Sequence, residues 1–397
     1  MFTVTKDLML PSTITGSWPR PRWFDVSMWG KPLDTCMMDV RWREKFQDAL
    51  AVVVNEQERA GLDIISHGDF HCDEDMAGRS WHHYPLQRWN GLEGDHLQSD
   101  ETRSEWLRYP AGTMLNEIYT AWRWPRVVDK IEHVSLGYAK IWRMTQARAK
   151  KPVRFGTCAS QVMSLFLDIH TDKYKDKREV IWDMAVAMNK ELLELKDAGC
   201  KCIQIEEPCF HFMANTFGAD HEEVKFLVKA FNRELEGLED VEIWLHTCWG
   251  NPNMQRVMED TSYAASIELY LNEAKGDVWT VEMKDRNFHE LELLERVKDS
   301  GKKIAFGAVS HRTLQADRPE EVADAIRTAL KYIPPEKLIV STDCGFGRQG
   351  ANREIAFYKT TSIAQACNIV RAELGLETTY IPAADPALQT DIVPPSE

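Results

Sequence analysis

His246 and Cys248 stand two residues apart in the apolar run EIWLHTC, so an extended chain puts an imidazole and a thiol on the same face. Glu282 closes VWTVEM and Cys344 closes LIVSTDC, which adds a carboxylate and a second thiol at the ends of two more strand-like runs. Two thiolates, an imidazole and a carboxylate make a tetrahedral zinc set, and thiolates favour zinc over magnesium or calcium. A lone cysteine is more often a small buried hydrophobe, which is the reading for Cys36, Cys72, Cys158, Cys202, Cys209 and Cys367. Cys200 and Cys202 share a C-x-C spacing, but they open their run instead of ending it, and packing is expected of them.

Eight short runs of this kind occur: 13–17, 63–68, 153–158, 202–207, 242–248, 278–283, 303–309 and 338–344. Helical patterns lie between them. One carries Val322, Ile326, Ala329, Leu330 and Ile333 on one face and opens with Pro319, Glu320 and Glu321, residues suited to a first turn. Strands alternating with helices predict parallel βαβ units, and eight of them predict an α/β (β/α)₈ TIM barrel. An open dinucleotide-binding sheet is disfavoured because no G-x-G-x-x-G follows the first strand. A barrel's active site lies at the C-terminal ends of its strands. Those ends carry Gly16-Ser17, His67-Gly68-Asp69, Glu206-Glu207-Pro208, His246-Thr247-Cys248, Glu282, Ser310-His311 and Asp343-Cys344-Gly345.

One stretch breaks the rhythm. From about 70 to 129 the chain is polar and rich in tryptophan (Trp81, Trp89, Trp106, Trp122, Trp124), the mark of an insertion after strand two that acts as a lid or a small subdomain. The barrel is expected over 1–375. Residues 376–397 read as a Pro-rich tail suited to draping over a neighbouring subunit, so a homo-oligomer is compatible with the sequence.

The 397 residues carry 62 Asp and Glu against 48 Lys and Arg, a formal charge of −14, which disfavours nucleic acid as a partner. The N-terminal MFTVTKDLML is too polar for a signal peptide, and no apolar run of membrane-spanning length occurs, so a cytoplasmic protein without membrane association is expected. Nine cysteines without a framework spacing argue against disulfides.

TITGSWPRP, the HGDF turn, IQIEEP, HTCWGN, VEM and STDCG, in this order and over nearly the whole chain, resemble the catalytic barrel of the cobalamin-independent methionine synthases, in a short form with one barrel instead of two. The resemblance implies zinc held by His246, Cys248, Glu282 and Cys344, with Glu282 displaced when the thiol of homocysteine joins the metal. It also implies methyl transfer to that thiol from a donor such as methyl-tetrahydrofolate. The family's homocysteine-holding positions fall on Gly16, Ser17, Asp69 and Glu206, with Glu207 beside them. Two of these depart from the family: Asp stands for Glu at 69 and Glu for Asp at 206. A third departure lies on strand seven. The family's G-x-x-D-x-H reads Gly307-Ala308-Val309-Ser310-His311-Arg312 here, which puts the family's proton-donating His one residue early, at His311. The short relatives include epoxyalkane:coenzyme M transferases, and Arg20, Arg22, Arg123, Arg126, Arg312, Arg348 and Arg353 offer anion-reading groups for a sulfonate or a folate glutamate. A third reading is a non-catalytic zinc protein on a retired barrel, with closed coordination and no response to thiols.

Overall fold

The computed structural model describes residues 1–24, 30–70, 80–97, 107–259, 262–347 and 351–388, and ten strands occur among them. In chain order they are β1 (Ile65–Ser66), β2 (Asn90–Leu97), β3 (Arg123–Glu132), β4 (Val153–Cys158), β5 (Asp168–Ile169), β6 (Cys202–Glu206), β7 (Glu242–Thr247), β8 (Val278–Val281), β9 (Lys303–Val309) and β10 (Leu338–Thr342). Seven form one curled parallel sheet in the order β1-β4-β6-β7-β8-β9-β10. All but the two-residue β1 have β-branched or apolar residues on both faces, as a sheet covered inside and out requires. The remaining predicted strand, at 13–17, is an extended segment that closes the ring. On one side Thr13 N donates to Val340 O and Val340 N to Pro11 O, while on the other Ser12 O accepts from Asp63 N and Ile64 N. The architecture is the (β/α)₈ type read from the sequence.

The N-terminal ends of the strands are sealed. Ile64, Cys202, Trp244, Val278, Ala305 and Ile339 form an apolar layer inside the barrel, and Phe2, Val4 and Leu8 pack against it. Glu242 Oε2 accepts from the backbone N–H groups of Thr3, Val4 and Thr5, which holds the N-terminal segment across this end. Long helices wrap the outside. The helix Pro319–Ala329 has Pro in its first turn and buries Val322, Ala323, Ile326 and Ala329, matching the predicted face and ending before Leu330.

Between β1 and β4 the chain is more ordered than a loop. β2 and β3 pair antiparallel, β5 adds in parallel to β3, and the helices His83–Leu86 and Met114–Ala121 flank them. Trp89 and Trp124 are buried, whereas Trp106 and Cys72 lie outside the described residues. The described part of the predicted tail, residues 376–388, packs on its own barrel. Ile381 is buried against Gly61, and Thr379 Oγ1 donates to Asp63.

Candidate active site

Parallel register assembles the centre. Glu206 pairs with His246 across β6 and β7, and Thr247 pairs with Val281 across β7 and β8, so Cys248 and Glu282 leave their strands side by side. Trp249 N donates to Glu282 Oε2 at 3.1 Å, which fixes that corner. Cys344 is placed from the other direction. The buried carboxylate of Asp343 accepts from the N–H groups of Met283, Lys284 and Asp285 at 2.7–2.9 Å, tying the turn after β10 to the end of β8. Gly345 must be glycine, because a Cβ there would lie 2.5 Å from Ser17 N. The Gly16-Ser17 and Cys344-Gly345 turns therefore touch backbone to backbone, and Ser17 Oγ accepts from Gly347 N.

The outcome is a buried group of His246, Cys248 and Cys344 whose ligand atoms all lie within 4.8 Å of one another. Neither ring nitrogen of His246 has a hydrogen-bond partner. Its close polar neighbours are Glu206 Oε2, 3.5 Å from Nε2, and the Cys344 sulfur; a buried polar atom without a good hydrogen bond costs on the order of 1–3 kcal/mol, which a metal beside the two thiols would relieve. This donor set fits zinc. Asn251 Nδ2 supports it by donating to Cys344 Sγ at 3.5 Å and Gly345 O at 3.1 Å. A hydrogen bond from Cys248 holds the Cys344 thiol well below its usual range against the opposing effect of burial, and His246 adds to this; the Cys248 thiol is pushed up in turn. Burial opposes protonation of His246, but Glu206 and Cys344 outweigh it and raise that imidazole to about 9.

Glu282 is adjacent to this group and outside it. Arg312 Nη2 reaches both of its carboxylate oxygens, at 3.0 and 2.9 Å, while Arg312 Nε donates to Asp285. The register of β9 against β10 slips beside Val309, a bulge that re-aims the side chains beyond it. Arg312 rather than His311 is thereby turned onto the Glu282 carboxylate. His311 is buried with neither ring nitrogen hydrogen-bonded, and burial together with Arg312 lowers it to about 3, so its imidazole is neutral.

A cavity of about 1130 Å³, counted out to its open mouth, lies over the two cysteines. Gly16, Ser17, Asp69, Glu206, Cys248 and Cys344 all line it, whereas Glu207, Glu282 and His311 do not. Glu207 instead accepts from Phe210 N at 3.1 Å and Gln161 Nε2 at 2.9 Å, which anchors the start of the helix Cys209–Phe217. Asp69 has φ +51, a left-handed conformation that side chains adopt at a cost and that gathers at functional sites. Its Oδ1 is 2.9 Å from His67 Nε2, and His67 stacks on Phe155. Glu206 Oε1 accepts from Gln204, its Oε2 lies 3.5 Å from His246 Nε2, and burial pushes its carboxyl up to about 8.

None of the described arginines singled out from the sequence lines the cavity. Arg20 donates to Phe70 O, Arg123 to Asp95 O, and Arg353 pairs with Glu56; Arg348 lies outside the described residues. Two residues escaped the sequence reading. Asn251 carries no signal beyond its place in HTCWGN. Arg154, fully buried, donates to Thr13 Oγ1 and Ile14 O, lies over the Trp244 ring and interacts with the charges of Asp69 and Glu206. A charge in the middle of the apolar run VRFGTC was the available clue.

Fold and centre together define a barrel with a buried, sulfur-rich His-Cys-Cys group, able to hold a metal ion, at the C-terminal ends of its strands. The family model of the cobalamin-independent synthase catalytic domain matches residues 144–367, more than half of the sequence, and the chain belongs to that family. It is 28% identical over 374 residues to a methionine synthase of Saccharolobus solfataricus, covering 92% of this chain and 96% of the relative. A methionine synthase of Thermococcus kodakarensis is 29% identical over 376 residues, with 93% and 96% coverage. Among solved structures, the B12-independent methionine synthase of Shewanella sp. W3-18-1, in complex with selenomethionine, superposes with a TM-score of 0.71 at 23% identity, covering 92% of this chain and 99% of that one. That likeness establishes the barrel fold. Among the described residues, no helix is long and apolar enough to cross a membrane.

Proposed function

We propose that this enzyme transfers a methyl group to the sulfur of a homocysteine-like thiol, with zinc held by His246, Cys248 and Cys344 and Glu282 as an exchangeable fourth ligand. The observation that carries the reading is the buried His-Cys-Cys group whose two cysteines face the cavity shared with Asp69 and Glu206. When bound, zinc supplies a Lewis acid that keeps a thiol as its thiolate at neutral pH, where a free thiol is only a few per cent ionised.

The chain's own residues do the rest. Asp69 and Glu206 receive the substrate ammonium, and the Gly16-Ser17 turn shapes the adjoining wall. Arg312 opposes the burial that raises the Glu282 carboxyl to about 7 and draws it aside, so an incoming thiol competes with a ligand that already has another partner. The apolar walls keep water from a nucleophile that hydration would blunt.

Epoxide opening by a sulfonate thiol is the alternative chemistry for such a centre. Less supports it, because no Arg or Lys occurs among the described residues lining the cavity to receive a sulfonate. Calorimetric titration of the zinc-loaded protein with homocysteine and with 2-mercaptoethanesulfonate, in buffers of different ionisation heat, tests both. Homocysteine binding with proton release is expected. Proton release with the sulfonate alone would replace the proposal by the alternative, and heat from neither would overturn thiol activation.

A further inference from the structure

A methyl group on an amine nitrogen leaves slowly unless that nitrogen takes up a proton, because an unprotonated amide anion is a poor leaving group. In-line displacement also puts the departing nitrogen on the side of the methyl carbon away from the attacking sulfur. The acid therefore has to stand in the part of the cavity away from the metal centre. His311, the imidazole that the family resemblance offers for this task, does not line the cavity, and Arg312 after it is committed to Glu282 and Asp285. His82 does line it. Its buried ring stacks on Trp124 with centroids 4.3 Å apart and 12° between the planes, and it meets Trp81 at 5.7 Å and Trp122 at 5.6 Å edge to face. All three tryptophans line the cavity as well, so an imidazole is set with fixed orientation into an aromatic wall. That wall comes from the β1–β4 segment, whereas the two cysteines follow β7 and β10. Tyr119 joins the two regions: its ring is 4.6 Å from Trp122, and its hydroxyl senses the charge of Cys248.

Other proton-carrying side chains of the cavity are placed or engaged differently. Glu206 lies beside His246, on the metal side. Asp69 is paired with His67, and the Tyr138 hydroxyl shares a hydrogen bond with Thr157 Oγ1 at 3.2 Å. Burial, with the charges of Tyr109 and Cys248, pushes the Tyr119 hydroxyl well above its usual range and makes it a poor acid. Resting on the methyl-transfer reading above, we infer that His82 is a catalytic acid, whose imidazolium N–H protonates the amine nitrogen from which the methyl group departs. The step balances. The methyl carbon bonds to the thiolate sulfur as its bond to nitrogen breaks. The freed electron pair stays on that nitrogen and takes the proton, which leaves a neutral amine, a thioether and a neutral imidazole. The imidazole regains its proton from water at the cavity mouth.

The test uses full-length, zinc-loaded protein saturated with homocysteine, whose binding is measured first by calorimetry. Two donors are then compared, with labelled methionine read by NMR. One is ¹³C-methyl-tetrahydrofolate, whose methyl sits on an amine nitrogen; the other is ¹³C-methyl iodide, whose iodide leaves without a proton. His82→Gln should slow transfer from the folate about 100-fold. Zinc content, homocysteine binding and alkylation by methyl iodide should be unchanged in that variant. In the parent, transfer from the folate should be slower in deuterium oxide and alkylation by the iodide should not. Equal losses with both donors, no loss with either, or a folate reaction in the parent indifferent to deuterium would overturn the inference. So would a parent that is alkylated by the iodide and takes no label from the folate. Each of these leaves the thiol chemistry standing, whereas absence of homocysteine binding at the outset would overturn the reading on which the inference rests.

Discussion

The two ends of this barrel are built by the same eight strand positions and treat buried polar groups in opposite ways. At the sealed end two buried carboxylates are fully matched. Glu242 gathers three backbone N–H groups and the Trp244 indole, and Asp63 gathers Ser12, Thr379 and Arg371. Burial opposes ionisation of Asp63, but Arg371 and Ser12 outweigh it and hold its carboxyl below the usual range. At the open end His246 and His311 are buried without hydrogen bonds, and burial pushes Glu206 and Glu207 up to about 8. One end is finished as it folds; the other keeps unsatisfied groups that a metal and a substrate can complete. In a TIM barrel that contrast separates the stability face from the catalytic face.

The contrast is most easily broken at paired cysteines. Cys344→Ala at the open end should reduce zinc from about one per chain to a small fraction of that and abolish turnover, read by elemental analysis and methionine formation. Cys202→Ala at the sealed end should leave zinc in place and lower stability by about 1–2 kcal/mol in urea unfolding. Equal zinc loss in both variants would dissolve the distinction between the ends.

Glu242→Ala strips the acceptor from three backbone N–H groups, and a loss of about 3 kcal/mol or more is expected, again with zinc retained. Arg312→Gln is the mirror experiment at the open end. Removing the guanidinium leaves Glu282 buried and unpaired, so the metal-free protein should lose about 3 kcal/mol. Zinc should restore much of that loss, because the freed carboxylate then serves the metal, and homocysteine should bind about tenfold more weakly against this stronger competitor. Thermal melts with and without zinc check the first outcome, and calorimetry checks the second. Identical destabilisation in both melts would mean that Glu282 and the metal do not communicate.

A further expected effect is on pH dependence. Burial raises Glu234 to about 8, above its unfolded value, so its contribution to stability is full at low pH and is lost as pH rises toward 8. Glu234→Gln should therefore gain stability relative to the parent as pH rises from 5 to 8, read by urea unfolding at the two pH values. Asp63, with its carboxyl held low, runs the other way: its contribution is lost as pH falls through its depressed value.

Most of the barrel was legible because its strands are unbroken apolar runs bounded by turn residues. The first is the exception in form: Thr13, with Ser12 before it, holds its place in the ring by hydrogen bonds to both neighbours without a strand's full ladder. The second sheet was not legible. β2 reads NGLEGDHL, with two glycines and an exposed pattern, and β3 carries Pro125, so neither shows a strand's alternation. The His246, Cys248 and Cys344 group followed from strand alternation and strand ends. The pairing of Arg312 with Glu282 did not, because it depends on the slip between β9 and β10, which composition does not signal. Glu207, next to Glu206 in sequence, accepts from Phe210 N at the start of a helix, a partner that sequence adjacency does not signal.

The central claim is that a substrate thiol completes the His246, Cys248 and Cys344 centre. Zinc K-edge X-ray absorption of the loaded enzyme, recorded before and after homocysteine, tests it most directly. We expect two sulfur ligands to become three while one oxygen ligand is lost. An unchanged two-sulfur shell in the presence of saturating, bound homocysteine would contradict it.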